Sequence, residues 1–276
     1  MTQPLSFVKM VGTGNDFVLL DLRRHPIPAA RGSRRRQLPE LARQLCRRAR
    51  SIGADGLLTI ERSRRADLKM RIINPDGSEA DMCGNGSRCV ALYAADGKPR
   101  RHLTIETGAG IVRADTLSAR RVRVTLPPPS LVRAKPLTAL MRRFTAYHVH
   151  TGVPHAVLFV SDVRPVDIKQ LGPSIRHHRV FQPAGANVDF VQVLDRHTLR
   201  VRTYERGVES ETLACGTGAV AAALAAAATK RCASPVAVYP TSGERLVIRF
   251  ETTGTSWKNV SLEGDVRQVF TGVLTP

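Results

Sequence analysis

The sequence has no long hydrophobic run. Its longest apolar stretch covers residues 219–228 and is rich in alanine, whereas a helix that crosses a membrane needs about 20 apolar residues. Residues 1–6 contain no basic segment leading into an apolar one, so the pattern of a signal peptide is absent as well. We therefore expect a cytoplasmic protein that does not span a membrane.

Cysteine is scarce, with five residues in a chain of 276. An odd number argues against a framework of disulfide bonds. The spacing of the cysteines and histidines completes no set of four zinc ligands, so we expect no metal site. The chain is 42% hydrophobic and 24% charged, a composition that is typical of a globular protein and excludes a wholly disordered one.

Acidic residues are few: the chain contains 23 Asp and Glu but 42 Lys and Arg, which gives a net charge of +19. Ten arginines fall within residues 23–50, where Leu38, Leu41, Leu45 and Ala49 predict an amphipathic helix with its arginines outward. Such a charge can attract nucleic acid. Aromatic residues make up only 5% and no nucleic-acid-binding motif accompanies the charge, so we favour a solvated basic face.

Two long segments of the chain repeat each other. In each, an alternating strand pattern (68–74 or 199–205) and a turn precede a Cys-Gly motif that opens an apolar run, at Cys83 or at Cys215. The two cysteines are 132 residues apart (215 − 83), and five ordered matches keep an offset between 131 and 140. Coincidence is a poor explanation, so the chain is predicted to consist of two equivalent halves.

The predicted fold is α+β, with two pseudo-symmetric domains that each wrap a β-sheet or barrel around a central apolar helix. The runs at 90–95 and 219–228 have almost no polar face and must be enclosed. We place the domains at residues 1–127 and 146–276, with 128–145 as a proline-marked crossover linker. The prediction leaves open whether the C-terminal tail packs on the first half.

The repeated Cys-Gly motif is suited to acid/base chemistry at carbon. A thiol at a helix start feels the positive end of the helix dipole, which favours the thiolate, and the following glycine leaves backbone amides open to a carboxylate. Two such thiols on opposite sides of one α-carbon could remove its hydrogen on one face and deliver a proton to the other. The alternative is a tight turn that merely packs helix on strand; two copies at equivalent sites favour the chemical interpretation.

These residues resemble the cofactor-independent diaminopimelate epimerases. The resemblance runs from about residue 7 to residue 270, with its motifs in the family's order. It is carried by Lys9-Met10, Gly12-x-Gly14-Asn15-Asp16-Phe17, Asn74-x-Asp76-Gly77-Ser78-Glu79, Cys83-Gly84-Asn85-Gly86-x-Arg88-Cys89, Gly152-x-Pro154-His155, Asn187, Tyr204-Glu205-Arg206-Gly207 and Ala214-Cys215-Gly216-Thr217-Gly218.

The resemblance implies a role for each matching residue. Cys83 and Cys215 are the expected acid/base pair, with pKa values tuned by His155 and Glu205. Arg206 is expected to clamp the distal carboxylate of the substrate in bidentate fashion, and Glu205 to accept from an ammonium group. The reacting carboxylate would be held by Gly84, Asn85, Gly216 and Thr217, and the other polar groups by Asn15, Asn74, Asn187 and Arg206.

The resemblance also implies that the chain interconverts LL- and meso-diaminopimelate for lysine and peptidoglycan precursor synthesis. It implies a homodimer that works without pyridoxal phosphate or a metal. Three positions depart from the family pattern: Val11 where histidine is frequent, Gly56 where some members carry glutamine, and Val153 where many carry asparagine. The alternatives are a cofactor-independent racemase of another amino acid, such as histidine or proline, and, more remotely, a basic nucleic-acid-binding protein.

Overall fold

The structure is a computed structural model that describes residues 4–27, 34–253 and 256–274. Residues 1–3, part of the segment behind the signal-peptide expectation, and residues 28–33 of the arginine-rich segment lie outside this description. The chain divides into two compact units. The first comprises Met1–Val124 with Gly264–Pro276, and the second comprises Thr125–Glu263.

The described residues of the first unit form eight strands, two helices and the end of a late strand. Its elements in chain order are β1 (Leu5–Gly12), β2 (Asn15–Asp21), α1 (Arg34–Leu45), β3 (Gly56–Glu61), β4 (Leu68–Ile73), β5 (Glu79–Ala80), α2 (Gly84–Ala94), β6 (His102–Thr107), β7 (Gly110–Ser118) and β8 (Arg121–Thr125).

Two parallel strand pairs define the topology of this unit. Strand β2 runs parallel to β3 and β4 runs parallel to β6, while β1–β2, β3–β4, β4–β5 and β6–β7 are antiparallel. Helix α1 connects β2 to β3, as parallel neighbours require a crossover. Helix α2 contacts β1–β4, β6 and β7, and its first nine residues are buried. The unit therefore encloses α2, as the absence of a polar face predicted.

The part of the second unit that the structure describes forms nine strands and two helices. Its elements are β9 (Arg133–Ala139), β10 (Arg142–His150), β11 (Pro154–Phe159), α3 (Ile168–Arg176), a 3₁₀ turn (Arg179–Phe181), β12 (Asn187–Asp195), β13 (Thr198–Glu205), β14 (Ser210–Thr212), α4 (Gly216–Ala228), β15 (Val236–Tyr239), β16 (Leu246–Thr253) and β17 (Ser256–Leu274), whose end belongs to the first unit.

The strand pairing of the second unit repeats that of the first. Strand β11 runs parallel to β12 and β13 parallel to β15, while β10–β11, β12–β13, β13–β14 and β15–β16 are antiparallel. Helix α3 takes the crossover position of α1. Helix α4 contacts β10–β13, β15 and β16, and all its residues from Gly216 to Ala226 are buried. The predicted α+β fold with two equivalent parts is confirmed.

The segment from 128 to 145 differs from the linker that its prolines suggested. Strand β9 and the start of β10 lie in it and pair with each other from Arg142↔Ala139 to His148↔Arg133. The hairpin belongs to the second unit, because Leu137, Ala139 and Ala146 pack into that unit's core. Prolines at the start of the segment conceal this strand alternation in the sequence.

The C-terminal residues complete the first unit. Strand β17 pairs antiparallel with β1 from Leu5↔Leu274 to Gly12↔Val266, and residues from Gly264 onward belong to the first unit. In the second unit, the same strand pairs with β16 from Val247↔Glu263 to Thr253↔Ser256.

Helix α1 ends earlier than its apolar spacing suggested. Leu38, Leu41 and Leu45 are buried as predicted, but Ala49 lies outside the helix, is exposed, and has a φ of 61°. After Leu45 the chain turns back, with the Gly53 amide donating to the Leu45 carbonyl over 2.9 Å. This reversal of the chain takes the place of the further helical turn that the apolar spacing predicted up to Ala49.

Several arginines of the basic segment are engaged by carboxylates. Arg23 and Arg24 lie against Asp21, and Arg48 donates to Asp16 and Asp55 over 2.6 and 2.7 Å. These contacts give part of the positive charge a structural use within the first unit. Across the described residues, no helix combines the length and apolar character that crossing a membrane requires.

Candidate active site

Cys83 lies at the N-cap of helix α2. Its backbone is extended, with φ −142° and ψ 115°, and its Sγ accepts a hydrogen bond from the Gly86 amide over 3.3 Å. The first backbone amides of a helix lack acceptors within the helix, so Gly84 and Asn85 present N–H groups beside the sulfur. This is the predicted arrangement of a thiol at a helix start, with amides available for an anion.

A chain of side-chain hydrogen bonds fixes the orientation of Asn85. Its Oδ1 accepts from Arg88 over 2.8 Å, and its Nδ2 donates to Asn15 Oδ1 over 2.6 Å. Asn15 in turn donates to Asp55 Oδ2 over 3.1 Å. Arg88 is fully buried and also donates to Thr13 Oγ1 over 2.8 Å. Since an arginine only donates and a carboxylate only accepts, the chain leaves each asparagine one orientation.

Asn74 occupies the turn between β4 and β5. Its side-chain Nδ2 donates to Ser78 Oγ over 3.0 Å, and its backbone N–H donates to the Ser78 carbonyl over 2.8 Å. Gly77 in this turn has a φ of 87°, a conformation that glycine adopts without strain. The side chain predicted to bind substrate thus stabilises a turn in this structure, and its binding role stays a prediction.

Cys215 also lies at the N-cap of its helix, α4, with an extended backbone of φ −117° and ψ 111°, but its side chain makes no capping hydrogen bond. It is only 8% exposed. Burial raises its pKa well above the ordinary value for a thiol, and the charges of Glu205 and Asp189 act in the same direction. Thr217 Oγ1 lies 3.4 Å from the sulfur, and a hydrogen bond donated by this hydroxyl to the sulfur would act against the increase in pKa. Burial and these two charges therefore favour the thiol form of Cys215.

His155 and Thr217 are brought together beside Cys215. The Nε2 of His155 lies 3.0 Å from Thr217 Oγ1, and its Nδ1 lies 2.7 Å from Asp189 Oδ2. His155 and Asp189 are both fully buried. The backbone carbonyl of Thr217 accepts from Thr151 over 3.1 Å. The histidine predicted to tune a thiol thus reaches Cys215 through the hydroxyl of Thr217.

Asn187, Glu205 and Arg206 meet where β12 begins and β13 ends. Asn187 Oδ1 accepts from the Arg206 amide over 2.7 Å, and its Nδ2 donates to the Pro154 carbonyl over 3.3 Å. The guanidinium of Arg206 donates to the Ala184 carbonyl over 3.3 Å. Glu205 lies close enough to Cys215 for its charge to raise the thiol pKa.

The other three cysteines are buried at positions away from helix starts. Burial raises the pKa of Cys46 to about 11 and that of Cys232 to about 12. Burial also raises the pKa of Cys89, which lies inside helix α2. Protonated, enclosed thiols are poor nucleophiles and bases, so we assign these three residues the role of small apolar side chains.

Two acidic residues of these networks were not predicted as site residues. Asp55 aligns with Asn187 in the repeat, since each follows a Gly-Ala pair, and this match was the available signal. Asp189 is two residues beyond Asn187 within a strand whose first five residues are all buried. Nothing in its local sequence distinguishes it from an exposed residue of an alternating strand.

Gly56, one of the three departures from the family pattern, is enclosed. A Cβ there would lie 3.3 Å from the Ile73 carbonyl and 3.5 Å from the Phe17 ring, so a larger side chain would have to displace its neighbours. Within the described part of the chain, no group of three or more His, Cys, Asp or Glu side chains is placed to hold a metal ion.

The sequence model of the family described as diaminopimelate epimerase matches residues 7–132 and 147–269. Curated diaminopimelate epimerases are similar over nearly the whole chain. The protein from Aquifex aeolicus is 42% identical, covering 98% of both chains. That from Moorella thermoacetica is 39% identical, covering 97% of this chain and 98% of its own.

Solved structures share the fold at low sequence identity. A probable proline racemase from Agrobacterium radiobacter K84 superposes with a TM-score of 0.72 at 18% identity, covering 98% of this chain and 93% of that one. A phenazine biosynthesis protein from Bacillus anthracis superposes with a TM-score of 0.70 at 15% identity, covering 99% and 100%. At such identities the likeness concerns the fold alone.

Proposed function

The chain belongs to the diaminopimelate epimerase family, and from this premise we propose that it interconverts LL- and meso-diaminopimelate. The observation that carries the proposal is the 42% identity to a curated diaminopimelate epimerase across 98% of both chains. Because the match covers almost all of both chains, this chain neither gains nor lacks a large segment relative to that epimerase on which a different activity could depend.

The proposed mechanism uses Cys83 and Cys215 as a base and an acid. A thiolate on one cysteine removes the α-hydrogen as a proton, and the thiol of the other delivers its own proton to the opposite face of the carbon. The enzyme ends with the two protonation states exchanged, so no proton is gained or lost. The N-cap position of both sulfurs supports this division, as does the burial of Cys215, which raises the pKa of its thiol.

The helix starts supply the anion site that the reaction needs. Removal of an α-proton places negative charge on the adjacent carboxylate oxygens, where preorganised amide donors stabilise it by a few kcal/mol. We assign this role to Gly84 and Asn85 on α2, and to Gly216 and Thr217 on α4. The bond from Arg88 to Asn85 supports the assignment, because it holds the asparagine in one orientation.

The distal end of the substrate is assigned to the remaining polar residues. Arg206 pairs with the second carboxylate, Glu205 accepts from the second ammonium, and Asn15, Asn74 and Asn187 complete the hydrogen bonds. The bond from the Arg206 amide to Asn187 supports a shared task for these two residues. His155 and Glu205 tune the thiols, a role supported by their positions beside Thr217 and Cys215.

The wider proposal follows the family resemblance. We assign the enzyme to lysine and peptidoglycan precursor synthesis in the cytoplasm, as a homodimer that acts without pyridoxal phosphate. Light scattering coupled to size-exclusion chromatography will measure the subunit number, with twice the chain mass of 30.2 kDa expected.

Turnover of a small substrate panel tests the proposed activity. Purified protein should convert LL-diaminopimelate to the meso form, followed by chiral chromatography, while L-proline and L-histidine remain unchanged. Cys83→Ala and Cys215→Ala variants serve as matched controls for contaminating activity. Conversion of proline or histidine in place of diaminopimelate, or unchanged activity in the cysteine variants, would contradict the proposal.

A further inference from the structure

A line of polar side chains leads inward from Cys215 within the second unit. The sulfur lies 3.4 Å from Thr217 Oγ1, which lies 3.0 Å from His155 Nε2. The other ring nitrogen, Nδ1, lies 2.7 Å from Asp189 Oδ2. Since His155 and Asp189 have no exposed surface, water does not compete for these contacts. The state of the carboxylate can therefore influence the sulfur through two intervening groups.

The Asp189 carboxylate is fixed on several sides. Besides His155, the Thr203 hydroxyl donates to its Oδ1 over 2.8 Å. The carboxylate of Asp189 lies under the first turn of helix α4, where Gly218, which has no side chain, leaves space for it. The positive end of the helix dipole favours a negative charge there. A buried carboxylate needs such partners, since an unpaired one is strongly destabilising.

We propose that Asp189 is a positioning residue that keeps Cys215 in its proton-donating form by fixing the hydrogen on Nδ1 of His155. The inference rests on the proposed function, in which Cys215 is one of two thiols. A carboxylate only accepts hydrogen bonds, so Nδ1 carries the hydrogen and Nε2 of a neutral ring accepts from the Thr217 hydroxyl. The Thr217 oxygen then accepts the S–H of Cys215.

The surrounding charges act in the same direction. The titratable groups that face Cys215 are Asp189 on β12 and Glu205 on β13. Burial is the largest cause of the raised pKa of Cys215, and the charges of Glu205 and Asp189 add to it. Besides Asp189, the titratable side chains of His148 and His150 on β10 interact electrostatically with His155. A cationic ring would reverse the Thr217 hydroxyl, which would then donate to the sulfur and favour a thiolate. Asp189 therefore matters through the ring hydrogen as well as through its charge.

The first unit contains a different set of side chains at the equivalent positions. The repeat offset places Leu57 opposite Asp189 (189 − 132) and Asn85 opposite Thr217 (217 − 132). Cys83 therefore lies beside an amide chain, and Cys215 beside a hydroxyl, an imidazole and a carboxylate. This difference assigns Cys215 the role of acid in the resting enzyme and Cys83 that of base.

Alkylation of Cys215 tests the inference without any need for turnover. The rate of modification by iodoacetamide is followed from pH 6 to 11, with peptide mass spectrometry to isolate Cys215 from the other cysteines. In Asp189→Asn, the midpoint of the rate profile should move to lower pH for two reasons. The amide can donate to Nδ1 and so no longer fixes the ring hydrogen there, and the charge that raises the thiol pKa is removed. The control, Thr203→Val, deletes the other hydrogen bond to the carboxylate and should keep the wild-type midpoint.

Steady-state kinetics supply a second readout. Asp189→Asn should lower kcat about 10- to 100-fold with a smaller change in KM, as expected when an acid/base group is misplaced and binding is retained. If Asp189→Asn does not fold, Asp189→Ser, which leaves room for a water, replaces it with the same expected shift in the alkylation midpoint.

Two outcomes separate the inference from the function on which it rests. An unchanged alkylation midpoint in a folded Asp189 variant would overturn the inference, even if thermal stability fell, because a purely structural carboxylate lowers stability alone. A shifted midpoint in a protein that does not epimerise diaminopimelate would contradict the proposed function and leave the positioning of Cys215 intact.

Discussion

Replacing Gly218 with alanine should destabilise the second unit through Asp189. A Cβ at Gly218 would collide with Asp189 Oδ1 and lie 3.2 Å from Thr203 Oγ1. The equivalent glycine of the first unit, Gly86 (218 − 132), faces a softer neighbour, since its Cβ would lie 2.9 Å from the terminal methyl of Leu58. The two glycines thus form a matched pair in which only the obstructing group differs.

The expected magnitudes follow from what must move. Alanine is favoured over glycine inside a helix by about 1 kcal/mol. At Gly86, displacement of a flexible methyl costs about 1 kcal/mol, near the low end for overpacking, so the net change is close to zero. At Gly218, the carboxylate must move away from Thr203 and His155, and leaving a buried charge without its partners costs about 3–5 kcal/mol. The net loss there is about 2–4 kcal/mol.

Urea denaturation at pH 7, followed by circular dichroism, measures both changes against the wild type. Gly218→Ala should lower the free energy of unfolding by about 2–4 kcal/mol, while Gly86→Ala stays within about 1 kcal/mol of wild type. Equal stabilities for the two variants would show that the Asp189 carboxylate is not held under the first turn of α4.

Three further outcomes are expected. Cys83→Ala and Cys215→Ala should each lower kcat for diaminopimelate at least about 100-fold while leaving the circular dichroism spectrum unchanged, because each removes one acid/base group. Arg206→Lys should raise KM about 10-fold with a smaller effect on kcat, since lysine cannot pair with a carboxylate through two bonds; steady-state kinetics across substrate concentrations will show which parameter changes. Burial acts to raise the pKa of Asp16, but hydrogen bonds from its two cationic partners outweigh it and hold that pKa below 3.8. The ionised carboxylate therefore contributes its full stabilisation above the pKa that Asp16 has in the unfolded chain, and this contribution is lost as the pH falls through the lower pKa of the folded state. Asp16→Asn should be less stable than wild type at pH 7, and the difference in urea midpoint should shrink at pH 3.

The repeat was predictable because its signals are local. The Cys-Gly motifs, the glycines 30 residues before them and the apolar runs after them recur at a nearly constant offset. A helix with no polar face has to be surrounded, and α2 and α4 are each packed against six strands of their own unit. The sequence therefore predicted both the two-part α+β fold and the elements that position Cys83 and Cys215.

Secondary structure was less predictable where side-chain patterns were weak. The strands of the 133–150 hairpin carry Pro136 opposite Thr145, and proline is an unreliable strand residue in sequence patterns. Helix α3 contains a glycine and a proline, so it went unpredicted, although Asp167 caps it by accepting from the Gln170 amide over 3.2 Å. Tertiary packing overrides propensity in both segments.

The networks around the thiols were only partly visible in the sequence. Asn15, Asn85, His155 and Thr217 could be named individually, but their hydrogen-bond partners depend on pairing between distant strands. Strand β12 lies between β11 and β13, and helices α3 and α4 both pack against it. Burial on both faces removes the alternation that marks inward positions, so Asp189 could not be recognised as a buried carboxylate.

Epimerisation of LL-diaminopimelate in D₂O shows directly whether two different groups exchange protons with one α-carbon. Substrate and product are analysed by mass spectrometry at conversions below about 10%. In a two-base reaction the proton removed and the proton delivered belong to different groups, so the meso product should carry one deuterium while the remaining LL substrate stays unlabelled. Product that retains the original hydrogen, or equal labelling of both pools at early times, would rule out a two-base reaction.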